Sequence, residues 1–274
     1  MKQSRSFMHL ILYDIRYSFR KNRIKWFFTV SIQLWLCIRS FQEVSFYGSY
    51  DYLSELWPVM SGASEYILSE DSAFQLPACW FLFQIFQFFL IGFYSESELN
   101  FGNGQALIRT HTREMWLASK FISVIVNIVS YYGCFLVVLL IGNTIHAGKV
   151  IPENGMIGLA GIPIFHKSIW EVWSAFIILP LLVSVTLGEI QVVLSLFLDP
   201  VISFMAVVGF MVISVFGMHP FLIGNFSMLY RQEWVSGKPE MSVDIGIILC
   251  FVLLIATFTF GIIMFRKKDI LPAE

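Results

Sequence analysis

The chain has 274 residues, 57% of them apolar and only 14% charged, with a mean hydropathy of +0.72. Soluble domains carry roughly a quarter charged residues, so this composition excludes a soluble globular fold of useful size and points to lipid. The net charge of -1 averages a basic face and an acidic one, so it has no message of its own, and no nucleic-acid partner is expected.

The first element is an amphipathic helix over 5–23. Phe7, Ile11, Ile15 and Phe19 recur every fourth residue, with Met8 and Leu12 beside them and Arg5, His9, Arg16 and Arg20 on the remaining face. Such a helix lies flat in the membrane interface, apolar side down and basic side toward headgroups, before turning upward at Lys21 to Lys25. A first apolar run covers 26–41. It follows some two dozen residues and carries no small-residue cleavage pattern, so it is expected to be a retained membrane helix rather than a removable signal.

The segment 43–76 is mixed. It holds Glu43, Asp51, Glu55, Glu65, Glu70 and Asp71, no Lys or Arg, and Tyr47, Tyr50, Tyr52, Trp57 and Tyr66, the aromatic types that favour membrane interfaces. Short helices packed on the outer surface are the expected form. Its negative charge would concentrate cationic amphipathic peptides there.

Further apolar runs cover 78–94, 117–141, 170–197, 201–218 and 245–265. A hydrocarbon core of about 30 Å needs roughly 20 apolar residues in a helix, and these runs are too long and too evenly apolar for barrel strands. The expected fold is all-α, a single membrane domain over 1–274 with six crossings. Basic residues near helix ends stay on the cytoplasmic side, and 13 of the 18 Lys and Arg lie before the first span, in the loop between the second and third, or after the last. Both termini are therefore expected in the cytoplasm. Outer connections run over 146–168 and 220–244, and Asp199-Pro200 is a tight inner hairpin.

The loop 95–119 is the most informative stretch. Gly102-Asn103-Gly104 is a turn, Gln105 to Arg109 suits a short helix, and Thr112 can cap the next helix with Glu114 in its first turn. Within the spans, Gln84 and Gln87 share one face of the second helix, and Ser123, Asn127 and Tyr131 one face of the third. Glu189 is the clearest buried ionisable residue, with Gln191 nearby. It either lines a pathway or packs against neighbouring helices.

No catalytic motif is present. The stretch from Gly142 to Lys149 superficially resembles a phosphate-binding loop but has one residue too many and lacks the following Ser or Thr. Cys37, Cys79, Cys134 and Cys250 lack paired spacing and read as small hydrophobes, not as a disulfide framework or a metal site.

The order of features at the inner loop resembles the ABC-2 type transporter permeases. An acidic residue, a glycine turn, a short helix ending in arginine, then threonine followed by a second arginine, and a lysine opening a long apolar helix are here Glu98, Gly102, Arg109, Arg113 and Lys120. The basic amphipathic start, the six spans and the closing Phe265-Arg266-Lys267-Lys268 extend the resemblance along the whole chain. It implies an exporter subunit with no catalytic, cofactor or metal site of its own. A separate ATP-binding subunit would hold ATP and Mg and dock on the loop through Glu98, Gly102, Gly104, Gln105, Arg109, Thr112, Arg113 and Lys120. It also implies a second permease copy, identical or similar, and a bacterial cytoplasmic membrane. The cargo would be a peptide, lipid or drug-like molecule, with antimicrobial-peptide export or immunity as one form. Gln84, Gln87, Asn127, Glu189 and Gln191 are the candidate pathway residues. Two other classes remain: a proton-coupled transporter working through Glu189, and a membrane scaffold without transport.

Overall fold

Twenty residues without a glycine or proline form α1, Lys2–Lys21, and only Asn22 separates it from α2, Arg23–Tyr47. The computed structural model describes residues 2–47, 51–65, 76–92, 112–145, 156–157, 162–163 and 168–267. The further helices are α3 (Tyr52–Met60), α4 (Ala78–Ile91), α5 (Arg113–Ile145), α6 (Ile169–Ser195), α7 (Pro200–Phe216) and α8 (Val243–Lys267). Among the described residues the only strands are a two-residue antiparallel bridge, Met156–Ile157 against Ile162–Pro163. The protein is all-α, as its apolar runs require.

Each expected span falls on a helix. Three helices, α5, α6 and α8, are long and apolar enough to cross a membrane. At 1.5 Å per residue, the 33 residues of α5 reach about 50 Å. α4 and α7 are apolar but shorter, the 17 residues of α7 spanning about 25 Å. α2 has the length, yet Gln33, Arg39 and Gln42 interrupt its apolar run.

α6 is the hub. It packs against α4, α5, α7 and α8, and nearly every residue from Leu179 to Val193 is buried. Lipid tails are as apolar as leucine, so close van der Waals fit rather than water exclusion holds such helices together. Gly188 permits that fit. A Cβ there would meet Ile128, Ile91 and Val124 at 3.0 to 3.1 Å, so α4 and α5 approach α6 only because the side chain is absent. Early in α6, Pro180 cannot donate and its ring presses on the preceding turn; the helix accommodates it with a π-turn over Ser174–Ile178. α8 is the most lipid-facing helix, burying Gly246, Cys250, Gly261 and Phe265 while Ile248, Phe251, Val252 and Ile255 stay exposed.

Two expectations need correction. α1 does bear an exposed apolar side, with Met8, Leu12 and Tyr13 uncovered. Its opposite side, however, is a polar seam: Asp14, Ser18 and Asn22, spaced four apart, are buried against the bundle. The acidic segment 43–76 is likewise not wholly a surface layer. Within it, α3 is sunk into the end of the bundle far from the start of α5, buried at every position but Pro58. Tyr52 Oη donates to the Leu136 carbonyl at 2.9 Å, and Trp57 packs on Phe176 and Tyr230. Asp51 caps α3, accepting from the Ser54 backbone N–H at 2.8 Å, and Gly62, at φ 67°, supplies the left-handed residue beyond its end.

Other local readings agree with the structure. Asp199 and Pro200 turn the chain from α6 into α7. Thr112 Oγ1 accepts from the Met115 N–H at 3.3 Å. All four cysteines are free thiols.

Candidate functional site

Three polar layers cross the bundle, one at each end and one between. The first surrounds the start of α5, directly after the informative loop. Arg113 donates from Nη1 to the carbonyls of Phe265 and Arg266, at 3.0 and 3.1 Å. The last carbonyls of a helix have no partner within it, and a cation there also meets the negative end of the helix dipole. Arg113 thus fastens the end of α8 to the start of α5. Trp116 stacks on Phe265 at 5.1 Å between centroids, and Arg266 pairs with Glu114 at the exposed rim.

One turn deeper, Lys120 is fully buried and pairs with Asp14 at 2.9 Å; Ser119 donates to the same carboxylate. Lys120 also lies 5.1 Å from the Trp116 ring centre. Asn127 and Ser18 exchange hydrogen bonds, and Asn22 Nδ2 donates to the Leu90 carbonyl at 3.1 Å. Asp14 and Ser18 of α1, with Asn22 just beyond it, therefore hold that helix to α5 and to the end of α4.

The middle layer joins α4, α5 and α6. Gln87 donates to Ser184 at 2.8 Å and to Gln84, while Tyr132 Oη lies 2.9 Å from Ser184 Oγ. Tyr131 Oη donates to the Phe83 carbonyl at 2.7 Å, and Gln33 reaches the Tyr131 carbonyl at 2.9 Å. Gln191 donates to the Phe88 carbonyl at 3.2 Å. Several amide atoms in this layer, Gln84 Nε2, Gln87 Oε1, Gln33 Oε1 and Gln191 Oε1, are buried with no partner among the described residues. Buried amides normally satisfy both ends, so the layer has spare donor and acceptor capacity in the heart of the bundle. Glu189 is on α6 too, but on a different face from Ser184 and Gln191, since residues five and two apart fall more than a third of a turn round a helix; it is 4% exposed, and its side chain has no hydrogen bond or ion pair among the described residues.

The third layer, at the opposite end of the bundle from the first, centres on Glu55. Asn143 donates to its Oε1 at 3.3 Å and Ser40 to its backbone carbonyl, while Oε2 is buried without a partner among the described residues. Burial pushes its carboxyl up to about 7; the Asn143 hydrogen bond opposes this and the nearby Asp51 adds to it. Asp51 is itself raised by burial. Between pH 4.5 and 7 the folded protein therefore holds a proton on Glu55 that the unfolded chain has released. Stability is greatest at the acid end of that window and falls as pH rises through 7. From pH 5 to 8 the wild type is expected to lose on the order of 1 to 3 kcal/mol through this group. Glu55→Gln should remove most of that slope, leaving the smaller share of Asp51. Thermal unfolding in detergent across the pH series checks it; parallel slopes in the two proteins would overturn it.

The structure thus gathers Gln84, Gln87 and Gln191 between α4 and α6, leaves Glu189 on another face of α6, and places Asn127 apart, on the α1 seam. Thr112, Arg113 and Lys120 stand at the end where α5 begins, but Arg113 caps α8 and the Lys120 side chain is buried, so neither is a bare docking group. Glu98, Gly102, Gly104, Gln105 and Arg109 lie outside the described residues. Sequence reasoning did not single out Asp14, Ser18, Asn22, Tyr132 or Ser184. The four-residue polar spacing of the first three, on the side away from Phe7 and Ile11, was the available signal. Among the described residues no group of His, Cys, Asp and Glu is disposed to hold a metal ion.

Residues 26–271 match the model of a family described as proteins of unknown function (DUF2705). The chain belongs to that family. The match covers α2 to the end of α8, so the polar layers between those helices all fall within it, and only α1 and its seam precede it. No curated protein and no solved structure matches the chain.

Proposed function

We propose that this protein is the membrane subunit of an ATP-driven exporter of the ABC-2 type. Its six crossings are α2, α4, α5, α6, α7 and α8, with both termini in the cytoplasm of a bacterial cell. It works as a dimer with an identical or similar permease, and a separate ATP-binding subunit supplies ATP, Mg and hydrolysis. The cargo is a peptide, lipid or drug-like molecule.

The observation that supports this reading best is the clasp at the start of α5. A loop that only set topology would need basic residues but no rigid attachment. Here the helix entered directly from the loop is bound to α8 by Arg113 and Trp116 and to α1 by Lys120 and Asn127. A push on the segment 95–112 would therefore move α1, α5 and α8 together, which is what coupling to a closing ATPase dimer requires. Beyond the clasp, the spare amide groups of Gln84, Gln87 and Gln191 lie where such a tilt would open the bundle.

A second reading has one observation in its favour. An intramembrane acid without a partner marks a proton or ion path by default, and the Glu189 side chain has none among the described residues. A proton-coupled transporter would use it as the carrier.

The test is a pull-down of the tagged chain from its own membranes in mild detergent, with an ATPase assay and mass spectrometry. A nucleotide-binding subunit is expected with the wild type and should be lost from the Glu98→Lys, Arg109→Glu variant. Absence of any ATPase would overturn the exporter reading, and transport abolished by Glu189→Gln would then support the second.

A further inference from the structure

At the end of the bundle where α6 and α8 begin lies a cleft of about 90 Å³. Trp170, Glu171 and Ser174 line it from α6, Glu233 and Trp234 from the turn Glu233–Ser236, and Asp244 from the first turn of α8. We propose that this cleft binds the ammonium group of an amphipathic organic cation. The inference stands apart from transport and needs no ATPase partner.

Three carboxylates from three separate elements converge on one small space without a lysine or arginine among the described residues that line it. Each has a local use at a helix start, where acids meet the positive end of the dipole. Glu171 closes a capping box with Ser168, and Glu233 and Asp244 lie in first turns. Those uses do not require the three to share a cleft. Glu233 and Asp244 are exposed, and their side chains make no hydrogen bond or ion pair among the described residues.

Ser174 gives independent support. It is 1% exposed, lines the cleft, and its hydroxyl has no partner among the described residues. Several serines in these helices return their hydroxyl to the carbonyl four residues back, as Ser184 does to Pro180, Ser203 to Asp199 and Ser214 to Phe210. Ser174 does not, and it stands at the start of the π-turn. Such turns are frequent at functional sites. A buried hydroxyl kept from its usual acceptor has an acceptor or donor to offer a ligand.

The chemistry selects a bulky organic cation over a metal ion. The acids are not disposed to hold a metal, as noted above, whereas two tryptophan rings beside negative charge are the usual recognition of alkylammonium groups. Exposed apolar residues at the same end, Ile169 and Ile248 among them, suit an attached alkyl chain.

Purified full-length protein in maltoside micelles is titrated with decylammonium chloride, whose N–H groups can donate to the Ser174 hydroxyl, at fixed salt, and binding is read by tryptophan fluorescence and calorimetry, with decyl maltoside as the uncharged control. Saturable binding is expected with the ammonium only. The Glu233→Gln, Asp244→Asn variant should weaken it about tenfold, the loss shrinking as salt rises. Equal titrations of wild type and variant, or no saturable binding, would overturn the site. If that variant does not fold, Ser174→Ala carries the test, since its hydroxyl has no partner to lose; unchanged affinity there would overturn the site too. In nanodiscs, loss of binding with phosphatidylethanolamine but not phosphatidylglycerol identifies a lipid headgroup as the occupant, and equal binding in both identifies a ligand from the aqueous phase. Either outcome supports the ammonium chemistry.

Discussion

Lys120→Met is expected to cost about 3 to 5 kcal/mol of stability, because it leaves the Asp14 carboxylate buried without its countercharge. Asp14 and Lys120 are both sealed from solvent at 2.9 Å. The pair need not be strongly stabilising in itself: two buried ions give up their hydration, and well-packed apolar replacements are often as stable. The double variant Asp14→Leu, Lys120→Met should therefore recover most of what either single variant loses. Unfolding of the three proteins in mixed micelles measures the cycle. A Lys120→Met protein within about 1 kcal/mol of wild type would show that the ion pair does not hold α1. Because Ser18 and Asn22 continue the same seam, the single variant should also expose α1 to protease while the double does not.

The second large effect is expected at Arg231. Its guanidinium is wholly buried and donates to the carbonyls of Ala63, Gly217, Ser214 and Val215 and to Asn225 Oδ1, the first two at 3.0 and 2.8 Å. Ser214, Val215 and Gly217 are at the end of α7, where helix carbonyls lack partners. Ala63 belongs to the segment after α3, so one side chain ties α7, that segment and the 220–244 connection together. Burial lowers the guanidinium pKa to about 10, with Glu65 acting the other way, and the group remains charged at neutral pH. Arg231→Met should lose about 3 to 5 kcal/mol, since several buried acceptors are orphaned at once. Arg231→Lys keeps the charge but has three donors on one point instead of a planar fork, so it should still lose about 2 kcal/mol. Chemical unfolding of both variants checks this; full stability in Arg231→Lys would mean that charge alone suffices.

The contribution of local sequence is clearest in the helices. Every apolar run fell on a helix, Thr112 caps where its spacing said it would, and Asp199-Pro200 turns the chain between α6 and α7. In lipid a helix must satisfy its own backbone hydrogen bonds within a few residues, so length, hydropathy and end residues carry the information. The same holds for the shared face of Gln84 and Gln87, which follows from their three-residue spacing and proves to meet a common partner, Ser184.

What only the tertiary structure decided is which polar residues meet. Lys120 reads in the sequence as one more inner-face cation; its partner Asp14 stands 106 positions away, on a helix whose apolar pattern draws attention to the opposite side. Arg231 reads as a stray charge in an outer connection and becomes the cap of α7. Glu55 reads as part of an acidic surface and is buried against Asn143, 88 positions on, because α3 packs into the bundle beside the end of α5. Composition and periodicity register how often a residue type recurs along one helix. They hold no record of which face another helix will cover, and a buried charge is set by that cover, since only a distant partner can replace the water it gave up.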